Sequence, residues 1–273
     1  MVLSLIGVGL EPEDITLKGL RLARECETVY LEKYTSIVMD DQEIERVVGK
    51  KIELAYREDI EGVGDAEARI ITEAKQKHVG LLVVGTPLFA TTHTELMIRA
   101  QELGIEVNIV HNASIQSVVG CCGFNSYSFG RTVSIPFFLE GWRPYDFFRN
   151  IMSNFDSGLH TLCLLDIKIN EPTIDTLLGR ENKRYNRFMT INEAISQLNE
   201  AAAHHHSDML ATQKIVAVER LGLPTERFAY GTAEELGGAA YGPPLHSIIV
   251  PSGKGNAMER ECLERFFQSY QTP

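Results

Sequence analysis

Short apolar runs alternate with longer stretches of helical periodicity through the first half of this chain, and that alternation restricts the fold more than any other feature. Strands separated by helices build βα units on a mainly parallel sheet. Strands are expected at residues 3–8, 28–31, 51–54, 81–84 and 106–110. Asp14, Asp40 or Asp41, and Asp65 stand where helix N-caps would, with Gly49, Gly80 and Gly104 as candidate C′ residues and a short helix after Ser114. The opening Met1-Val2-Leu3-Ser4-Leu5-Ile6-Gly7 reads as a first strand rather than a signal peptide.

Past the Gly/Ser/Asn-rich stretch at residues 123–130 the strands lengthen and the helices thin out. The expected division is therefore 1–125, an α/β domain with a mainly parallel sheet, and 126–273, an α/β domain with a mixed sheet. In the second half, strands are expected at 132–138, 160–168, 215–220, 227–230 and 245–251, and helices at 145–155, 190–204, 232–236 and 258–270. Residues 170–187 are polar and of mixed charge, as an exposed insertion would be.

Charge and cysteine content narrow the function. The 26 Lys and Arg against 37 Asp and Glu leave a net charge of −11, which argues against coating a nucleic acid. No apolar run approaches the roughly 18 residues that a bilayer-spanning helix needs. Five cysteines, including the vicinal pair Cys121-Cys122, suit reduced thiols in a cytosolic compartment, and no CxxC pair suggests zinc. Both vicinal thiols are expected to be buried.

Three strand ends carry ligand-type chemistry. Gly7-Val8-Gly9 follows the first strand and opens the backbone to a phosphate, ribose or adenine, or else forms a plain tight turn; Pro12 spoils the full GxGxxG pattern. Gly85-Thr86-Pro87-Leu88-Phe89-Ala90-Thr91-Thr92-His93 follows the most apolar strand, where capping accounts for Thr92 but not for so many small and hydroxylated residues. His111-Asn112-Ala113-Ser114-Ile115 follows the next. Three such ends in one domain point to a shared cleft. In the second half Asp166 and Lys168 end a strand, Leu221-Gly222 ends another, and His246 opens a third; a cap or salt bridge for Asp166 and a satisfied structural histidine for His246 are the plainer alternatives. His204-His205-His206 cannot all face one ion, so a solvated helix end accounts for them better than a metal. GxSxG and Walker loops are absent from the sequence.

Taken together, these segments resemble the diphthine synthases, the diphthamide-biosynthesis methyltransferases within the tetrapyrrole-methylase-like class of S-adenosylmethionine (AdoMet) enzymes, in their eukaryotic branch. Leu5-Ile6-Gly7-Val8-Gly9-Leu10, Tyr30-Leu31-Glu32-Lys33-Tyr34-Thr35-Ser36, Ala90-Thr91-Thr92-His93, His111-Asn112-Ala113-Ser114-Ile115, Val119-Gly120-Cys121-Cys122-Gly123, Leu164-Leu165-Asp166-Ile167-Lys168 and Pro244-Leu245-His246-Ser247 carry the resemblance, in the family's order. It implies two α/β domains with AdoMet in the cleft between them, S-adenosylhomocysteine as product, and a cytoplasmic homodimer. The cofactor contacts it implies fall on Leu10, Thr86, Phe89, Ser114, Ile115, Leu165, Leu221 and His246, with no metal and no identified catalytic residue. The implied substrate is an aminocarboxypropyl-histidine on translation elongation factor 2, methylated three times on nitrogen and, in this branch, once on the carboxylate.

One position departs from the family. Gly-Asp-Pro is the usual wording where this chain has Gly85-Thr86-Pro87, and the lost carboxylate predicts weaker AdoMet affinity. Three rivals remain at this stage: a tetrapyrrole methylase acting on an acidic macrocycle, a nicotinamide oxidoreductase with Glu32 as its ribose carboxylate, and a non-catalytic AdoMet-binding protein.

Overall fold

The computed structural model describes residues 1–34, 40–62 and 67–266. These form two compact units, Met1–Ile115 with Lys168–Asn186, and Gln116–Ile167 with Arg187–Pro273. The first boundary thus falls ten residues earlier than the expected 125/126, and part of the polar insertion returns to the first unit.

The first unit starts with β1 (Val2–Gly7), α1 (Leu17–Glu25), β2 (Thr28–Glu32), α2 (Asp41–Val48) and β3 (Glu53–Ala55). It continues with α3 (Arg57–Glu61), α4 (Arg69–Ala74), β4 (His78–Val83), α5 (His93–Glu102) and β5 (Glu106–Val110), and its last residue, Ile115, opens α6 (Ile115–Val118). The five strands pair in the order β3-β2-β4-β1-β5, every pairing parallel. Alternate residues bury into different cores: Leu3, Leu5, Tyr30, Leu81 and Val83 on one side, and Ile6, Val8, Val29, Leu31 and Leu82 on the other. Two-sided burial is why these strands read as continuous apolar runs.

Local chemistry corrects two expected helix signals, Asp14 and Gly80. Pro12 starts a short 3-10 turn, and Asp14 turns its carboxylate back to accept the Leu10 and Glu11 N–H groups (3.0 and 3.2 Å). Thr16 caps α1 instead, accepting from Gly19 N at 3.0 Å. Asp40 caps α2 and Gly49 ends it with φ 74°, but Gly80 lies inside β4, where a Cβ would stand 2.9 Å from the Cys26 sulfur. The candidate cap Asp65 and the motif residues Thr35-Ser36 lie outside the described residues.

The chain then lays down β6 (Val133–Ile135), α7 (Asp146–Asp156) and β7 (Thr161–Leu165) in the second unit. The strand expected over 160–168 breaks at Asp166, whose backbone N–H donates to Ile135 O and whose carboxylate accepts from Phe137 N. Beyond it, β8 (Ile167–Pro172), α8 (Ile174–Leu177) and β9 (Arg184–Phe188) form a two-stranded ribbon where an exposed insertion was expected. Arg57–Glu171 (3.4 Å) and Arg184–Glu58 (2.7 Å) tie it to the first unit.

The second unit resumes with α9 (Ile191–His204), α10 (Met209–Thr212), β10 (Ile215–Glu219) and β11 (Arg227–Gly231), then α11 (Ala233–Gly237), β12 (His246–Val250) and α12 (Ala257–Phe266). Residues 267–270 of the expected last helix lie outside the described residues. The sheet runs β11-β10-β12-β7-β6, antiparallel except for the parallel β6–β7 pair, so it is mixed as expected. α7, α9 and α11 contribute Phe148, Ile151, Ile195, Leu198 and Leu236 to its core. No helix among the described residues is long and apolar enough to cross a membrane.

Candidate functional site

In the first unit the five implied contacts collect at the carboxyl ends of β1, β4 and β5, the edge of a parallel sheet where ligands bind. Leu10 follows β1, Thr86 and Phe89 follow β4, and Ser114 and Ile115 follow β5. The glycines here do a different job from the one the sequence suggested. Gly9 and Gly85 exchange backbone hydrogen bonds, and a Cβ on Gly7 would stand 2.8 Å from the Gly85 carbonyl oxygen. Gly7-Val8-Gly9 therefore lets the β4 loop approach, before any ligand is considered.

Asn112 then fastens the three strand ends together. Its Nδ2 donates to Gly7 O and Asp14 O, both at 3.0 Å, its Oδ1 accepts from Ala113 N, and its backbone N–H donates to Thr86 Oγ1 at 3.1 Å. Within the β4 loop, Leu88 and Ala90 hold φ of 69° and 53°. For residues with a Cβ, that backbone costs about 1–3 kcal/mol each and is a mark of functional loops. Thr92 does not cap α5 with its side chain; its hydroxyl meets Tyr34 Oη and donates to Glu61 Oε1, each at 3.0 Å.

His93, which the sequence did not single out as a site residue, is fully buried, and neither ring nitrogen has a hydrogen-bond partner among the described residues. Its Nε2 stands 4.0 Å from the Glu32 carboxylate. Burial pushes the His93 pKa down to about 4, so the imidazole is neutral. Glu32 is itself fully buried, which removes it as a ribose-binding carboxylate and weakens the oxidoreductase reading.

In the second unit, Leu165, Leu221 and His246 also share one sheet end. Leu165 closes β7, Leu221 follows β10, and His246 opens β12, which runs antiparallel to both and pairs His246 with Glu219. His246 is 7% exposed, and burial chiefly lowers its pKa. Its Nε2 lies 3.1 Å from Gly242 O, which can only accept, so Nε2 carries the proton. Nδ1 is then a buried acceptor without a protein partner among the described residues. A satisfied structural histidine would have both nitrogens engaged.

The remaining sequence candidates have structural employment. His204 stacks on Tyr145 at 4.1 Å and His205 Nε2 donates to the Tyr145 carbonyl. Cys122 is buried, but Cys121 is exposed, contrary to expectation. A cavity of about 260 Å³ lined by Phe124, His160, Lys214, Tyr230 and Arg260 sits at the opposite end of the second sheet, and none of the eight implied contacts lines it.

The eight residues fit AdoMet by their chemistry. Apart from His246 they are apolar or hydroxylated, leaving backbone groups to bond a polar ligand, and the open Nδ1 matches a cofactor that carries amino groups.

The family model of the Tetrapyrrole (Corrin/Porphyrin) Methylases matches residues 2–237, and the chain belongs to that family of methyltransferases. Its relatives are narrower in activity. The diphthine methyl ester synthases of Mus musculus and Homo sapiens are each 41% identical to it over 97% of this chain, and over 96% and 95% of their own lengths. Among solved structures, a diphthine synthase matches with a TM-score of 0.81 at 31% identity, over 98% of this chain and 96% of that one. One from Entamoeba histolytica reaches 0.84 at 35% identity over 99% of both chains. Fold class and family agree with what the sequence motifs implied.

Proposed function

We propose that this chain is a methyltransferase of diphthamide biosynthesis that uses AdoMet to methylate an aminocarboxypropyl-histidine on translation elongation factor 2. Full-length identity of 41% to diphthine methyl ester synthases carries the reading. The proposal includes three methylations on nitrogen and one on the carboxylate, in a cytoplasmic homodimer that binds neither nucleic acid nor membrane.

AdoMet supplies a methyl group on a sulfonium that already carries its own leaving group, so the protein's share is alignment and exclusion of water. The chain's own residues fit that share. Leu10, Phe89, Ile115, Leu165 and Leu221 offer apolar surface, Thr86 and Ser114 offer hydroxyls, and His246 offers the Nδ1 lone pair. The strand ends that bear the first-unit residues are held by Asn112, which keeps the contacts preformed. None of the eight is an acid or a strong base, so solvent takes the protons released by successive N-methylations. The ribbon at residues 170–187 is proposed as the docking element for the protein substrate, on its polarity and its place after Lys168. Deleting it should weaken apparent affinity for the factor while leaving AdoMet binding intact; unchanged affinity removes that assignment.

Intact-protein mass spectrometry tests the whole reading. Elongation factor 2 bearing the aminocarboxypropyl-histidine, incubated with this protein and AdoMet, should gain methyl masses, one of them alkali-labile, while factor lacking the intermediate gains none. AdoMet binding without added mass would favour a non-catalytic binder.

A further inference from the structure

We propose that the buried Glu219–Arg220 pair is a positioning device that fixes the tautomer of His246, presenting Nδ1 as an acceptor to a hydrogen-bond donor on the ligand. The inference rests on the reading of His246 as a cofactor contact, and it concerns residues that make no such contact themselves.

The pair is almost wholly buried, Glu219 at 1% and Arg220 at 8% exposure, with 2.9 Å between Oε2 and Nη1. Arg220 stands immediately after β10 with φ 48°, an uncommon backbone for a residue with a Cβ. Its contacts reach both segments that bear the implied second-unit contacts beyond β7. On the turn that contains Leu221, Nε donates to Thr225 Oγ1 at 3.0 Å and Nη2 to Thr225 O at 3.0 Å. On the segment that leads into His246, Nη1 donates to Pro243 O at 2.5 Å and the backbone N–H to Leu245 O at 2.8 Å.

Glu219 completes a relay. Its Oε2 accepts the Gly242 N–H at 2.9 Å, and the Gly242 carbonyl oxygen is the group facing His246 Nε2 at 3.1 Å. Carboxylate, glycine backbone and imidazole thus form one chain, whose last member must donate from Nε2 and keep Nδ1 bare. A side chain at residue 242 would push the pair aside: a Cβ would lie 2.8 Å from Arg220 Nη1 and 3.0 Å from Glu219 Oε2. Charge balance alone does not explain such a device, because a surface pair would balance charge at less desolvation cost.

Imidazole NMR on the full-length protein with ¹⁵N-labelled histidine reads the device directly. Wild type should show His246 as the Nε2–H tautomer, and adding AdoMet should perturb the Nδ1 resonance. Arg220→Lys and Gly242→Ala should each give mixed tautomers. Each should also raise the AdoMet dissociation constant by about tenfold, the loss of one well-formed hydrogen bond, and Arg220→Lys should melt below wild type, because one ammonium cannot replace the guanidinium's contacts to Thr225 and Pro243. A wild-type Nδ1–H tautomer, or an unchanged Nε2–H tautomer in whichever variant folds, overturns the proposal. Unchanged AdoMet affinity in His246→Phe would instead overturn the cofactor reading of His246, while the tautomer result stands on its own.

Discussion

Thr86 is the residue where this chain departs from the wording of the family it resembles, and its surroundings show what a carboxylate would do there. The hydroxyl already accepts the Asn112 N–H at 3.1 Å, and Asn112 makes three further bonds, to Gly7 O, Asp14 O and Ala113 N. An aspartate can keep that bond with one oxygen and offer the second, with its charge, to a donor on the ligand. Thr86→Asp should therefore tighten AdoMet binding by about fivefold, near 1 kcal/mol, by isothermal titration; unchanged or weaker binding would end this account. The cluster around Thr86 was legible in sequence because strand-end hydroxyls and glycines stand out. The caps beside it were not, since Asp14 and Thr16 both suit an N-cap and only the Pro12 turn decides which carbonyls and amides they meet. His93 was hidden for a related reason: a histidine after a threonine pair looks solvated, and only the folded chain shows it fully buried.

At the scale of elements, α9 separates two kinds of stabilisation. Its start is local: Thr190 Oγ1 accepts from Glu193 N at 3.2 Å, and Thr190→Ala should cost about 1 kcal/mol. Its middle is tertiary: Leu198 is fully buried in the second unit's core, and Leu198→Ala should cost about 3–5 kcal/mol through lost burial and the cavity left behind. Urea unfolding of both variants checks the contrast, and equal costs would mean that the helix is held by its cap. The same distinction explains what the sequence did and did not reveal. α9 is visible from its cap and its apolar period, and the parallel strands from their unbroken apolar runs. The β8–β9 ribbon is harder to see, because Ile169 alone of its strand residues is buried, and Glu171 and Arg184 pair with exposed charges on α3.

Acid stability draws on buried histidines in each of the two units. His93 in the first unit, and His160 and His246 in the second, all have pKa values lowered chiefly by burial, His93 to about 4. For His160 the Glu259 carboxylate at 3.4 Å pulls the other way, and desolvation outweighs it. An unfolded imidazole titrates near pH 6.5. Between that pH and the lowered folded values, the unfolded chain binds protons that the folded chain refuses, so stability is full above about pH 6.5 and falls as pH drops toward 4. For His93 alone the integrated loss is on the order of 3 kcal/mol. Glu259, whose pKa is lowered in the fold, adds to the loss once the pH passes below its ordinary range. Calorimetry across pH 7.5 to 5 should therefore show the wild-type melting temperature falling, and His93→Leu falling less steeply, because that variant has no imidazole at this position to charge on unfolding. Parallel curves for the two proteins would show that His93 is protonated in the fold, which the 4.0 Å approach to Glu32 would then have to explain.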